Sequence, residues 1–222
     1  MSIRRRYDED LRQIEQALGA MGEAAIEAVN TAVALLEHKN TETARAIIEG
    51  DEEIDAMEKS IEHQCLELLL RQQPMASDLR RVSTALKLVT DIERIGDHAA
   101  DLAEISESLE DGWQKNIPVQ DDIQKMASTS LDMVRAAISA FVAEDDTGAR
   151  IVIRRDDEVD ALFDRVKNAL AAYIAQNPSE IDAALDLLMV IKYLERLGDH
   201  AVNVAEWVGF LKTGCYRGQQ IV

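Results

Sequence analysis

Cysteine, proline and glycine are all scarce in this sequence. Its 222 residues include two cysteines, three prolines and ten glycines. Cys65 and Cys215 lack CxxC spacing and follow no secretory leader, so a reducing cytoplasm is the expected location. So few prolines and glycines argue against an all-β or a linker-rich protein. Because 47% of the residues are hydrophobic, the chain can still bury a sizeable core, and a disordered protein is excluded.

Long apolar runs and positive charge are also missing. No stretch approaches about 18 uninterrupted apolar residues, so no membrane span is predicted and any membrane association goes through a partner. Acidic residues number 42 against 24 basic ones, which gives a formal net charge of -18. This charge repels nucleic acid and anionic lipid surfaces, so basic partners or metal cations are the better expectation.

Motifs that support catalysis are absent as well. The sequence has no GxxxxGK phosphate loop, no GxSxG elbow and no nucleophile–base set. None of its four histidines has a glutamate three residues before it, which weakens a ferritin-like oxidase assignment. We therefore predict no catalytic residue and no enzymatic activity.

Helical periodicity is the pattern that the sequence does contain. Leu88, Ile92, Ile95, Ala99 and Leu102 recur at intervals of three and four residues and form one apolar stripe. The abundance of Leu, Ala and Glu also favours helix, and no segment has a convincing strand pattern. We predict six long antiparallel helices, at about 7–38, 41–73, 75–111, 119–144, 147–176 and 178–212.

Prolines and capping residues indicate where these helices end and begin. Asn177, Pro178 and Glu180 match the N-cap, N1 and N3 positions of a capping box. Other helix starts are predicted at Asn40-Thr41 and at Asp146-Thr147. Each of the three prolines falls between periodic stretches: Pro74, Pro118 and Pro178.

The chain contains an internal duplication. The stretches "ERIGDHAADLAE" at 93–104 and "ERLGDHAVNVAE" at 195–206 are identical at eight of twelve positions. The stretch "EGDEEIDAME" at 49–58 resembles "RRDDEVDALF" at 154–163 in the same way. A repeat of about 100 residues predicts two equivalent units. We therefore predict an all-α fold with two three-helix bundles, whose domains cover residues 1–114 and 115–222.

Each repeat carries acidic pairs, four residues apart, on two neighbouring helices. Asp55 and Glu93 lie 19 residues before and after Pro74, and Asp51 and Asp97 lie 23 residues before and after it. Antiparallel packing brings such residues to the same height, so four carboxylates are expected in one patch. The second unit repeats this pattern around Pro178 with Asp156, Asp160, Glu195 and Asp199.

A patch of four carboxylates requires positive charge, because like charges at this separation repel one another. Lysine, arginine or a metal ion would supply it, and oxygen-only clusters suit hard cations such as Mg2+, Ca2+, Mn2+ or iron. The duplication and the matched heights favour metal. His98 and His200 point away from the carboxylates, which favours a surface or inter-domain role over a ligand role. Gly96 and Gly198 predict close helix contact. Arg94 and Arg196 are expected to bridge neighbouring acids.

Together these features resemble the PhoU family, regulators of bacterial phosphate uptake, over nearly the whole chain. The E(D)xxxD acid pairs are that family's signature. The resemblance implies two three-helix bundles related by a pseudo-twofold axis. It rests on "ARAIIEGDEEIDAMEKSIE" at 44–62, "RQQPMASDLRRV" at 71–82, "ERIGDHA" at 93–99, "RRDDEVDALF" at 154–163 and "ERLGDHA" at 195–201.

Metal clusters are a further implication of the resemblance. Their identity does not carry over, and Fe, Mg, Mn, Zn and Ca all stay open. Asp101 in the first half is matched by Asn203 in the second, and both are candidates for additional or outer ligands. The implied ligands are Asp51, Asp55, Glu93 and Asp97 in the first half, and Asp156, Asp160, Glu195 and Asp199 in the second.

The resemblance also implies negative regulation of phosphate uptake and of the phosphate-starvation (Pho) regulon. Such a protein acts as a cytoplasmic adaptor between the ATPase subunit of the phosphate ABC transporter and a phosphate-sensing histidine kinase, and a homodimer is expected. Two alternatives stay open from the residues alone. One is a carboxylate-cluster metalloenzyme that acts on a phosphoester, and the other is a metal-storage protein.

Overall fold

Helices make up almost all of the computed structural model, which describes residues 3–72, 77–109 and 117–221. A short 3-10 helix, Pro178–Glu180, precedes the last long helix. Within these residues no helix is both long enough and apolar enough to cross a membrane. The six long helices are α1 (Ile3–Glu37), α2 (Thr41–Gln72), α3 (Ser77–Ser106), α4 (Gln120–Val142), α5 (Asp146–Gln176) and α6 (Ile181–Thr213).

The six helices form two three-helix bundles that pack against each other. Helices α1, α2 and α3 contact one another, and so do α4, α5 and α6. The halves meet where α3 packs against α6 and α1 against α4. The predicted apolar stripe of α3 is fully buried at its five positions, Leu88 to Leu102. The all-α class and the tandem bundles predicted from the duplication are therefore confirmed.

Helix starts match the predictions in part. The Asn40 side chain accepts a hydrogen bond from the Thr43 backbone at 3.0 Å, as an N-cap should. Helix α5 is capped by Asp145, one residue before the predicted start, through a 3.0 Å hydrogen bond from the Thr147 backbone.

Two predicted features fall outside the described residues: the hairpin corner at Pro74 and the domain boundary between residues 114 and 115.

The predicted capping box at the start of α6 is wrong. Asn177 occupies the N-cap position of the short turn, but its side chain makes no capping hydrogen bond, and its Nδ2 donates to the Tyr173 carbonyl at the end of α5. Residues Pro178–Glu180 form a 3-10 turn, and α6 begins at Ile181. A proline directly after Asn177 suits this tight connection as well as it suits a regular helix start.

The expectation of no strand is also wrong, at the end of the chain. Strands β1 (Cys215–Tyr216) and β2 (Gln219–Gln220) pair antiparallel. Arg217 and Gly218 have φ values of 49° and 75°, which a two-residue primed turn requires. The Tyr216 ring stacks on Trp207 with centroids 4.0 Å apart. Strands of two residues are too short to show the alternation of apolar and polar residues that predicts a strand. The stacking of Tyr216 on Trp207 holds the hairpin in place, and the local sequence does not indicate this contact.

Candidate metal centre

The facing helices α2 and α3 bring the acids of the first half together. Carboxylate oxygens of Asp51, Asp55 and Asp97 lie within 4.8 Å of one another. A second group, of Asp55, Glu58 and Glu93, meets the same distance. Asp55 belongs to both groups, so the patch is continuous along the seam between the helices. This is the juxtaposition that the equal distances from Pro74 predict.

Glu58 is the member of this patch that sequence reasoning missed. It lies three residues after Asp55, so it occupies the same face of α2, about one turn further along. That spacing was a usable signal. The comparison of the two repeats does not reveal it, because position 58 is acidic in the first repeat alone and its counterpart is Phe163.

The environment of the first patch disfavours its negative charge. Burial, and then the charges of Asp97 and Asp55, raise the pKa of Asp51 from 3.8 to about 6. Burial and the charge of Asp97 raise the pKa of Glu93 from 4.5 to about 7. The buried oxygens Asp51 Oδ1 and Glu93 Oε2 have no hydrogen-bond partner. Each cause is one that a bound cation would relieve.

Basic side chains reach this patch only from its solvent edge. Arg94 donates to Asp97 at 2.7 Å, and its Nε lies 3.3 Å from Glu93 Oε2. Lys59 donates to Asp55 at 3.1 Å. The side chains of Arg94 and Lys59 are 52% and 70% exposed, so these ion pairs are well solvated and weak. The bridging expected of Arg94 is present, but Asp51 Oδ1 has no hydrogen bond and Glu93 Oε2 has only this ion pair with an exposed arginine.

The donor set fits a hard cation. All five acidic side chains of the first patch offer oxygen, and two of the buried oxygens accept no hydrogen bond. Mg2+, Ca2+, Mn2+ and iron prefer oxygen ligands, whereas metals that prefer softer ligands are usually bound by cysteine or histidine. The five residues are Asp51, Asp55, Glu58, Glu93 and Asp97.

The four predicted acids of the second half are less closely grouped than those of the first half. Burial, and then the charges of Asp160 and Asp199, raise the pKa of Asp156 to about 6. Asp160 and Asp199 are exposed, whereas all five acids of the first patch are half-buried. Glu195 forms an ion pair with Lys192. Among the described residues of this half, no three such side chains bring ligand atoms within 4.8 Å of one another.

The two histidines lie where the bundles meet, as an inter-domain role requires. His200 Nδ1 lies 2.9 Å from Asp91 Oδ1, across the α3–α6 contact. The rings of His98 and His200 are 5.5 Å apart. Asp101, a candidate outer ligand, is hydrogen-bonded to His98 at 3.1 Å.

Asn203, the other candidate outer ligand, also contacts the opposite bundle. Its side chain donates to Asp91 at 3.0 Å and accepts from Arg217 at 2.8 Å. Both of its polar atoms are therefore engaged away from the acids of its own half. The replacement of Asp101 by Asn203 places a neutral side chain beside Asp91 in the contact between the halves.

The two motif glycines are not equally constrained, and substitution by alanine should separate them. A Cβ on Gly96 would lie 2.9 Å from Ile54 Cδ1 and 3.2 Å from Asp51 Oδ1. A Cβ on Gly198 would lie 3.4 Å from Asp156 Oδ1, an ordinary contact. Alanine gains about 1 kcal/mol in a helix, whereas overpacking costs about 1–3 kcal/mol.

We therefore expect Gly198→Ala to raise the free energy of unfolding by up to about 1 kcal/mol. Gly96→Ala should lower it by about 1 kcal/mol, because the buried Ile54 must move. Urea unfolding of metal-free protein measures both. Equal changes in the two variants would show that the helices are no closer at Gly96 than at Gly198.

The raised pKa values predict how stability depends on pH when metal is removed. Folding raises the pKa of Asp51 and of Glu93, so the folded protein binds more protons than the unfolded chain between about pH 4 and 7. Their contribution to stability is therefore complete below the unfolded pKa values and is lost as pH rises through this window. Glu93→Gln removes one such group, and thermal melts in EDTA should show a shallower loss in this variant. An equally steep loss would assign the effect to other groups.

Comparison with known proteins agrees with the fold and the repeat. A family model described as the PhoU domain matches residues 18–106 and 123–208. The chain belongs to the PhoU family. The two matched segments lie in the two bundles, and each contains both helices that carry the E(D)xxxD acids of its half.

Relatives in the PhoU family match along nearly the whole chain. One is the phosphate-specific transport system accessory protein PhoU homolog of Clostridium acetobutylicum, 35% identical over 95% of this chain and 96% of its own length. The crystal structure of PhoU from Pseudomonas aeruginosa has a TM-score of 0.88 at 33% identity, over 94% of this chain and 100% of that one. The phosphate transport system regulatory protein PhoU from Streptococcus pneumoniae has a TM-score of 0.83 at 27% identity, over 95% and 98%.

Proposed function

We propose that this protein is an accessory regulator of phosphate transport that restrains phosphate uptake and the phosphate-starvation regulon when phosphate is plentiful. The observation that carries this proposal is the full-length similarity to proteins named for the phosphate-specific transport system. A matching solved structure is titled a phosphate transport system regulatory protein, which supports regulation. The lack of a nucleophile–base set in the sequence agrees with a regulatory rather than an enzymatic role.

A cation in the first acidic patch is part of this proposal. Asp51, Asp55, Glu58, Glu93 and Asp97 would hold it, and it would supply the positive charge that cancels their repulsion. With that charge in place, α2 and α3 are held together along the seam, and the surface around the patch becomes rigid. Without it, the repulsion favours separation of the two helices. Such a change in the preferred arrangement is how an adaptor alters the state of a partner.

The partners in this proposal are the ATPase subunit of a phosphate ABC transporter and a phosphate-sensing histidine kinase. Both would be met in the cytoplasm, with the protein reaching the membrane only through them. A homodimer and a division into domains at 1–114 and 115–222 complete the proposal. Light scattering on the purified protein measures the oligomeric state. Pull-down of the ATPase subunit and of the kinase's cytoplasmic region tests each partner separately.

A deletion strain tests the regulatory role directly. In abundant phosphate we expect a phosphate-starvation reporter and phosphate uptake to rise in the deletion, and the wild-type gene to restore both to the parental level. An unchanged reporter would contradict the signalling role, whereas unchanged uptake with a raised reporter would restrict the protein to signalling.

A further inference from the structure

The two acidic patches differ at aligned positions within about one turn of the E(D)xxxD acids. Aligned repeats pair Glu58 on α2 with Phe163 on α5, and Thr90 on α3 with Lys192 on α6. The second patch has therefore lost a carboxylate and gained an ammonium group. These two changes taken alone make the local charge less negative, but Lys59, which pairs with Asp55, is matched by Asp164, so the net charge at the three aligned positions is the same in both halves. The halves therefore differ in where the positive charge lies, on α2 in the first and on α6 in the second.

Lys192 is placed to serve as the cation of the second patch. Its Nζ forms an ion pair with Glu195 on the same helix. The same Nζ lies 5.5 Å from the centroid of the Phe163 ring on α5, which is a favourable position for a cation over an aromatic face. Glu195 and Phe163 thus hold the ammonium group on the seam between α5 and α6. The counterpart of Glu195 in the first half is Glu93, whose Oε2 accepts no hydrogen bond and lies 3.3 Å from Nε of the exposed Arg94.

Basic residues of the first half do not have this placement. Lys59 and Arg94 contact Asp55, Glu93 and Asp97 from the edge, and the three-oxygen groups persist beside them. Lys192 is less exposed than either, at 38% of its side chain. The first patch has ligand atoms arranged for a cation, and the second patch has an ammonium group already among its acids.

We propose that the two halves use different cations: a divalent ion in the first half and the ammonium group of Lys192 in the second. This inference rests on the proposed metal-binding role of the first patch. The second bundle keeps its seam closed whatever the metal supply, whereas the seam of the first bundle depends on it. Glu58 is then a ligand that distinguishes the two halves, and Phe163 is a positioning residue for Lys192.

Matched variants with Mn2+ as the probe test this inference. Titration calorimetry on EDTA-stripped protein measures affinity and ions bound per chain. We expect Asp51→Asn to weaken Mn2+ binding by at least about tenfold, since loss of even a residue outside the ligand shell costs that much. Asp156→Asn, its counterpart, should change neither the affinity nor the number of ions. Both substitutions remove repulsion, so circular dichroism should show both variants folded.

Exchange of the two distinguishing residues gives a second test. Phe163→Glu with Lys192→Thr should add Mn2+ binding in the second half, and Glu58→Phe with Thr90→Lys should reduce it in the first. Equal losses in Asp51→Asn and Asp156→Asn would overturn the inference but leave the metal-binding role intact. A wild-type protein that binds no Mn2+, Mg2+ or Fe2+ would overturn both, and the deletion-strain reporter would still decide the regulatory role.

Discussion

The double variant Asp51→Asn/Glu93→Gln is expected to lose most Mn2+ binding and to be more stable than the wild type when metal is absent. Both side chains carry a raised pKa caused by burial and by neighbouring acids, so their charge is disfavoured in the folded protein. An amide of the same shape removes that charge. It also removes the oxygens that a hard cation would use, because a neutral amide is a weaker ligand than a carboxylate.

Thermal melts with and without Mn2+ measure both effects. At about a hundred times its dissociation constant a ligand stabilises by about 2.7 kcal/mol, which in a chain of this size raises the Tm by about 5–10 °C. We expect this rise in the wild type and little of it in Asp51→Asn/Glu93→Gln. In EDTA near neutral pH, the variant should melt at a higher temperature than the wild type. Glu52→Gln is the control, because Glu52 is exposed on α2 and belongs to neither oxygen group. A variant that still gains the full Tm rise would exclude this patch as the binding site.

The same double variant is expected to leave the phosphate-starvation reporter active in a deletion strain grown in abundant phosphate. The amides remove the ligands that hold the cation and, with them, the bound positive charge on which the surface that partners meet depends in our proposal. Wild type and Glu52→Gln should both silence the reporter. Immunoblots must show equal protein levels, since the metal-free variant is expected to be at least as stable as the wild type.

Full silencing by the double variant would separate the two parts of the proposal. Regulation would then be independent of metal, and the cation would have a purely structural role. Partial silencing with a reduced Mn2+ affinity would instead indicate that the remaining acids, such as Asp55 and Asp97, still hold an ion in the cell.

Much of the first patch could be predicted because helical geometry and an antiparallel hairpin leave little freedom. Equal distances from Pro74 predict that Asp55 faces Glu93, and the structure places both in one oxygen group. The same reasoning was less successful around Pro178. The distances there were unequal by one residue, and Asp160 and Asp199 lie exposed. In the part of this half that the structure describes, no three ligand atoms lie within 4.8 Å of one another.

Local signals failed where a distant contact decides the conformation. Asn177 matches an N-cap in the sequence, but its side chain bonds the end of α5 instead. The terminal hairpin has no alternation to detect, and its Tyr216 is held by the stacking of Trp207. In both places the alternatives differ little in local energy, so a contact outside the segment selects between them.

The amino-acid sequence by itself determined the helical class, the duplication, the apolar stripe of α3 and the family. These properties depend on periodicity and on composition, and both can be obtained from the linear sequence alone. Only the tertiary structure decided which positive charge meets which acids. The sequence favoured metal over lysine and arginine in both halves alike, but the fold places Lys192 between Glu195 and Phe163 and leaves Asp51 Oδ1 and Glu93 Oε2 without hydrogen-bond partners. The reason is that electrostatic energy depends on distances across helices and on burial, and neither is a property of neighbours in sequence.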